Sequence, residues 1–230
     1  MSAAYKNRTE AGRDLAGRLA AYKDRSDVLV LALPRGGVPV AYEVALALHA
    51  PLDIFLVRKL GVPGHEELAM GAIASDGTLA VNTEVMDALC IPEETLSGCI
   101  RVEQAELARR DKLYRGQRPP PVVQGRTVLI VDDGLATGST MQAALAALRQ
   151  RQPRRLVVAV PIAAAATAAA LRSIADEVIC LRTPEPFYSV SQGYKDFSQT
   201  TDQQVRSLLN LAMTSSIAAE PRREAAPPTL

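Results

Sequence analysis

The stretch Val128-Leu-Ile-Val-Asp-Asp-Gly-Leu-Ala-Thr-Gly-Ser-Thr140 decides how this chain folds and what it can hold. Thr127 to Val131 reads as a buried-type strand that runs directly into two carboxylates, Asp132 and Asp133. A turn of small and hydroxylated residues follows, and a helix is expected from about Thr140. The layout suits a sugar ring that carries a phosphate. Paired carboxylates at a strand end can accept hydrogen bonds from two adjacent ribose hydroxyls. The turn offers backbone N–H groups, the Thr137, Ser139 and Thr140 hydroxyls and the positive end of a helix dipole, all favourable to a phosphate. Gly138 lets the backbone approach closely with no Cβ in the way. Acids at strand ends are common in solvated turns, so the Asp pair takes its meaning from the whole stretch. A Walker A loop is a poor alternative, because no Gly-Lys-Ser/Thr occurs in the chain.

Working outward, helical and apolar segments alternate. Asn7 to Ala21 places Ala11, Leu15, Leu19 and Ala20 on one helical face. Val28 to Leu33 is a continuous apolar run fit for a strand buried on both faces, and Pro34 stops it. Val38 to His49 reads as a helix, and Asp53 to Val57 as a second strand ending at Arg58-Lys59. Leu60 to Leu68, with Gly61, Pro63 and Gly64, reads as a mobile loop. Met70 to Ser75 and Thr78 to Val81 flank Asp76-Gly77 as a hairpin. Pro92 to Arg115 is a charged helix laced with ion pairs, and Pro119 to Pro121 a rigid spacer. After the motif come helix Met141 to Gln150, strand Leu156 to Val160, helix Ala164 to Ile174, strand Glu177 to Leu181 and a last helix from Gln203 to Met213. Residues 1–213 are read as one domain and Thr214 to Leu230 as a disordered tail.

Apolar strands that alternate with helices predict an α/β fold, a mainly parallel twisted sheet with helices on both faces. Ligands in such sheets bind beyond the carboxyl ends of the strands. Three anion-suited turns fall there: Pro34-Arg35-Gly36-Gly37, Arg58-Lys59, and Asp132 to Thr140. Gly36 and Gly37 expose N–H groups, and Arg35 adds a permanently charged planar donor. Of nine aromatic residues, four (Phe187, Tyr188, Tyr194 and Phe197) gather after the last strand. They suit either stacking on a planar ring or a small satellite core.

With 48% hydrophobic residues and a net charge of +1, the 230-residue chain is globular and offers no broad basic field for nucleic acid. Cys90, Cys99 and Cys180 show neither a disulfide framework nor zinc spacing, which fits a reducing cytoplasm. Met1 to Asp24 is polar and amphipathic, without the pattern of a signal peptide, and no apolar run reaches membrane-spanning length.

The Val128–Thr140 segment resembles the phosphoribosyl pyrophosphate (PRPP) motif of the type I phosphoribosyltransferases, and the chain to about Met213 resembles a bacterial group within that family. The opening Asn7 to Arg13 and the closing Pro186-Phe187-Tyr188 and Asp196 to Thr200 contribute to the likeness. The resemblance implies a transferase of nucleotide metabolism that moves 5-phosphoribosyl from PRPP to a planar nitrogen acceptor, releasing pyrophosphate with the help of Mg²⁺. It implies that Asp132 and Asp133 hold the ribose hydroxyls, that Ala136, Thr137, Gly138, Ser139 and Thr140 wrap the 5′-phosphate, and that either acid meets Mg²⁺ at one remove through water. Arg35, Gly36 and Gly37 match the pyrophosphate loop, where a cis peptide is expected between Arg35 and Gly36. Arg58-Lys59 match the basic pair that meets the pyrophosphate, Lys59 as a catalytic candidate, and that opens the family's closing loop, in which Glu66, beside His65 and Glu67, is a candidate to assist the reaction. Residues 184–200 and the N-terminal helix correspond to the hood that selects the acceptor, with Tyr188 and Tyr194 as candidate contacts. A homodimer is an option under the same resemblance, although no interface is readable.

One departure bears on substrate. Ala136 stands where transferases of 6-oxopurines carry an acid that acts at the base N7. The acceptor is therefore not named by the sequence. A second reading is a regulatory domain that binds PRPP without turning it over. A third is a phosphatase with the Asp pair as metal ligands, whose companion acids are not evident.

Overall fold

The computed structural model describes residues 4–219. In chain order its elements are α1 (Arg8–Arg18), β1 (Val28–Ala32), α2 (Gly37–Leu48), β2 (Leu52–Ile54), β3 (Val57–Val62), β4 (His65–Ala74) and β5 (Leu79–Val81). Then come α3 (Thr83–Ala88), α4 (Glu93–Arg115), β6 (Thr127–Val131), α5 (Ser139–Arg149), β7 (Arg155–Ile162), α6 (Ala165–Leu171), β8 (Glu177–Arg182) and α7 (Asp202–Ala219).

Five strands pair in parallel in the order β2-β1-β6-β7-β8. Alternate residues along each strand point to opposite faces, so an unbroken apolar run feeds two cores at once. Val28, Val30 and Ala32 pack with α1, α2, α4 and α7 on one side. Leu29, Leu31 and Leu33 pack with α5 and α6 on the other. Register fixes the functional edge: Ala32 lies opposite Val131, and Val131 opposite Ala159. The turns after β1 and β6 therefore leave the sheet side by side, joined by a 2.9 Å bond from the Leu33 N–H to the Val131 carbonyl.

The remaining strands form an antiparallel sheet, β3-β4-β5. Here the sequence reading is corrected twice. Asp53 to Val57 is not one strand: β2 ends at Ile54 and the chain crosses to the second sheet, carrying Arg58 and Lys59 into β3. Ile54, Phe55, Leu56 and Val57 are all buried as they pass between the cores, so no change in hydrophobicity marks the break. Leu60 to Leu68 is mostly strand, because pairing of β3 with β4 satisfies the backbone that a loop would leave to water. Gly61 lies at a register shift and Gly64, with φ +79°, in the reversal between the strands. The hairpin at Asp76-Gly77 forms as read, with Gly77 at φ +85°.

α4 carries the expected ion pairs, Glu106 holding Arg109 at 2.8 Å and Arg110 at 2.6 Å. Its last residue, Arg115, is buried and binds Asp53, Asp111 and the Ile54 carbonyl, which fastens α4 to β2. α7 continues to Ala219, past the expected end at Met213, so 214–219 are helical; residues 220–230 of the expected tail lie outside the described residues. The segment before α1 and the segment after β8 pack together. Tyr5 pairs with the segment around Tyr194 through Tyr5 N–H to Gly193 O (2.8 Å) and Lys195 N–H to Tyr5 O (2.7 Å). Among the described residues no helix is long and apolar enough to cross a membrane.

Candidate functional site

The motif turn is built as its residue types dictate. β6 delivers Asp132 and Asp133 at the sheet edge. Leu135 then clips onto the neighbouring strand through Leu135 N–H to Ile162 O and Ala164 N–H to Leu135 O, both 3.0 Å. Gly138 takes the left-handed conformation (φ +74°, ψ 3°) that starts α5 at Ser139. Gly138 has no side chain to cap that helix, and the Ser139 N–H donates to the Thr137 hydroxyl at 3.4 Å. The Thr137 and Ser139 hydroxyls lie 3.0 Å apart, and Thr167 fixes the Ala136 carbonyl at 2.6 Å. Hydroxyls, backbone N–H groups and a positive helix end are together chemically suited to an anion.

The two acids form a close pair. Asp132 Oδ1 accepts the Asp133 N–H at 2.8 Å. Asp133 Oδ2 accepts Arg8 Nε–H at 2.7 Å, and the Tyr194 hydroxyl donates to the Asp133 carbonyl. Burial pushes both carboxyls above the usual carboxylate range. The charge of Asp133 pushes Asp132 further up, while Arg8 pulls against the rise at Asp133.

The Pro34–Gly37 loop lies directly against this pair. A Cβ at Gly36 would fall 2.1 Å from Asp133 Oδ2, and one at Gly37 2.7 Å from the Val131 carbonyl. Glycine is required here by close approach. The cis peptide joins Pro34 and Arg35, not Arg35 and Gly36 as expected. Gly36 already has right-handed helical angles (φ −59°, ψ −36°), so the turn is completed before it. The Arg35 guanidinium rests 3.5 Å from Asp202, whose carboxylate also accepts the Tyr114 hydroxyl at 2.5 Å.

The remaining candidates divide. Arg58 reaches the site: with Pro34, Thr140 and Arg110 it lines a cavity of about 30 Å³, and its Nε lies 3.4 Å from Glu103. Lys59, next along the strand, instead lines a groove of about 640 Å³ with Val62, Cys99 and Val102. His65 is exposed at the start of β4, and the side chains of Glu66 and Glu67 lie outside the described residues. Tyr188 is 82% exposed. Tyr194 is buried in a satellite core with Tyr5 and Ile162, its ring 5.1 Å from Phe197, so it supports Asp133 and offers no face to a ligand.

Sequence reasoning missed Arg8 and Arg110. For Arg8 a local signal existed: Asn7 accepts the Glu10 N–H at 3.0 Å and Glu10 returns to the Lys6 N–H, a cap that sets Arg8 at the first helical position. Nothing local shows that Asp133, 125 residues on, is its partner. Arg110 reads as another ion-paired surface residue.

The model of the phosphoribosyl transferase domain matches residues 3–196. A Mycobacterium tuberculosis protein, found in strains H37Rv and CDC 1551 and provisionally named a phosphoribosyl transferase, is 45% identical over 208 residues. The match covers 90% of this chain and 47% of that protein, so the chain spans about half the length of the curated relatives it matches. A crystal structure of a Thermus thermophilus protein superposes with a TM-score of 0.84 at 40% identity, covering 90% of this chain and 98% of that one.

Proposed function

The chain belongs to the phosphoribosyl transferase domain family, and from that premise we propose that it transfers 5-phosphoribosyl from PRPP to a nitrogen acceptor and releases pyrophosphate. The observation that carries this reading is the packing of Gly36 against Asp133, beside the hydroxylated turn that starts the helix at Ser139. This contact supports the reading because it brings the acid pair against the Gly36–Gly37 loop, the two elements proposed to take the ribose and the pyrophosphate.

In this reading Asp132 and Asp133 accept hydrogen bonds from the two ribose hydroxyls. The turn 136–140 holds the 5′-phosphate. Arg35, with the Gly36 and Gly37 N–H groups, meets the pyrophosphate, and Arg58 adds charge at its edge. The acceptor nitrogen forms a bond to C1 as the bond from C1 to the pyrophosphate oxygen breaks, and its electron pair leaves with pyrophosphate. The paired carboxylates favour the positive charge that develops on the ring. Mg²⁺ fits this donor set, because the hard carboxylate oxygens of Asp132 and Asp133 lie against the Gly36–Gly37 loop proposed to take the diphosphate. Held mainly by PRPP oxygens, with Asp132 or Asp133 at one remove, it would neutralise leaving-group charge.

In this reading the acceptor is planar and nucleobase-like, and the exposed ring of Tyr188 is a candidate surface for it. A second reading, in which PRPP is bound but not turned over, rests on Ala136, which supplies no acid at the acceptor. Pyrophosphate release from PRPP and Mg²⁺ across purines, pyrimidines and other nitrogen acceptors separates the two, with Asp133→Asn as control. Acceptor-dependent release that the variant abolishes supports the transferase. Saturable PRPP binding without release by any acceptor supports the sensor, and wild-type turnover by Asp133→Asn refutes the role of the acid pair.

A further inference from the structure

We propose that Arg8 is a positioning residue of the ribose subsite, holding Asp133 in the orientation that receives the sugar and tying the hood to the same carboxylate. The inference rests on the PRPP reading above. The Arg8 guanidinium is fixed three ways: Nε donates to Asp133 Oδ2 at 2.7 Å, Nη1 donates to the Ser198 carbonyl at 2.7 Å, and its central carbon lies 4.0 Å from the centre of the Phe197 ring. Its side chain is 11% exposed and that of Asp133 13%. Two hydrogen bonds and a ring contact determine both the place and the tilt of a planar cation. Neutralising Asp133 alone requires only one contact. Asp133 is gripped from its other end too, by the Tyr194 hydroxyl on its carbonyl.

The consequence is a division of labour. Arg8 joins the first turn of α1, the hood at Phe197 and Ser198, and the acid that meets ribose. The pyrophosphate loop has its own fastening, Arg35 on Asp202, with Asp202 on Tyr114. Loss of Arg8 therefore strikes ligands that contain the ribose and spares pyrophosphate alone.

The test measures PRPP and pyrophosphate affinities, each with Mg²⁺, for wild type, Arg8→Ala and Arg8→Lys by titration calorimetry. Arg8→Ala is expected to lose at least about tenfold in PRPP affinity, as truncating one partner of a close charge pair does, with pyrophosphate affinity retained. Arg8→Lys keeps the charge but not the fork and falls between, and it carries the test where the alanine variant does not fold. Wild-type PRPP affinity in both variants overturns the proposal. An equal loss for both ligands also overturns it, because that marks a general structural role. Wild-type protein that binds neither ligand sinks the PRPP reading itself, a result distinct from either.

Discussion

Gly36→Ala separates steric from backbone effects at the meeting of the two loops. Gly36 already lies at φ −59° and ψ −36°, where alanine is unstrained. By itself the exchange favours folding by about 0.4–1 kcal/mol through the unfolded chain. Against this stands the new Cβ, 2.1 Å from Asp133 Oδ2 and 2.6 Å from its Cγ. Tight contacts end near 3.4 Å, so the carboxylate must retreat by about 1.3 Å. Oδ2 is the atom that Arg8 holds at 2.7 Å, and retreat strains or breaks that bond. Overpacking of this kind costs about 1–3 kcal/mol, so the protein stays folded with slightly reduced stability. The ligand suffers more. Losing one hydrogen bond between a charged acid and a ribose hydroxyl costs about 1.5–3 kcal/mol, roughly 10- to 100-fold in Kd. Calorimetric titration with PRPP reads the loss directly, and the melting temperature confirms the fold. Gly17→Ala is the control: it lies on the exposed face of α1, where an added Cβ meets nothing within 4 Å, and PRPP affinity is expected to be unchanged. Unchanged affinity in Gly36→Ala would refute the assignment of the loop and acid contact to the ribose site.

Further predictions concern the phosphate seat and the scaffold. Gly138→Ala puts a side chain at φ +74° with its Cβ 2.6 Å from Thr167 Cγ2; ribose 5-phosphate binding should weaken while pyrophosphate binding holds, both read by titration. Arg115→Ala removes the buried guanidinium that binds the partly buried Asp53 and Asp111 carboxylates and the Ile54 carbonyl, and should destabilise by about 1–3 kcal/mol in urea unfolding, as leaving hydrogen-bonded groups without their partner does. The phenols of Tyr22 and Tyr114 are pushed up to about 12, chiefly by burial and then by hydrogen bonds to Glu177 and Asp202. Their stabilisation is whole below about pH 10, where the unfolded phenol is still neutral, and is lost as pH rises through about 12. The melting temperature should fall across that window, and Tyr114→Phe should make the fall shallower; an identical alkaline slope in the variant would rule out the contribution.

The parallel sheet, its two buried faces and the motif turn were legible in the sequence because each is encoded locally. A run such as Val28 to Leu33 has no polar side to give to water, and Gly138 with Thr137 and Ser139 leaves few other turns open. Both acids lie at a strand end for the same local reason. The break at Ile54 was hidden because burial continued across it, and the β3–β4 hairpin because Gly61, Pro63 and Gly64 are as much the residues of a bulge and turn as of a loop. The roles of Tyr194 and Arg8 were settled by neither composition nor spacing. An aromatic after the last strand serves a ligand or a core according to what packs on it, and Tyr5 and Phe197 cover this one. An arginine at a helix start is a surface charge until the fold brings a buried carboxylate within 2.7 Å. Local chemistry determined which residues can meet sugar and phosphate; pairings between distant parts of the chain, set only when the cores close, decided which of them stand together.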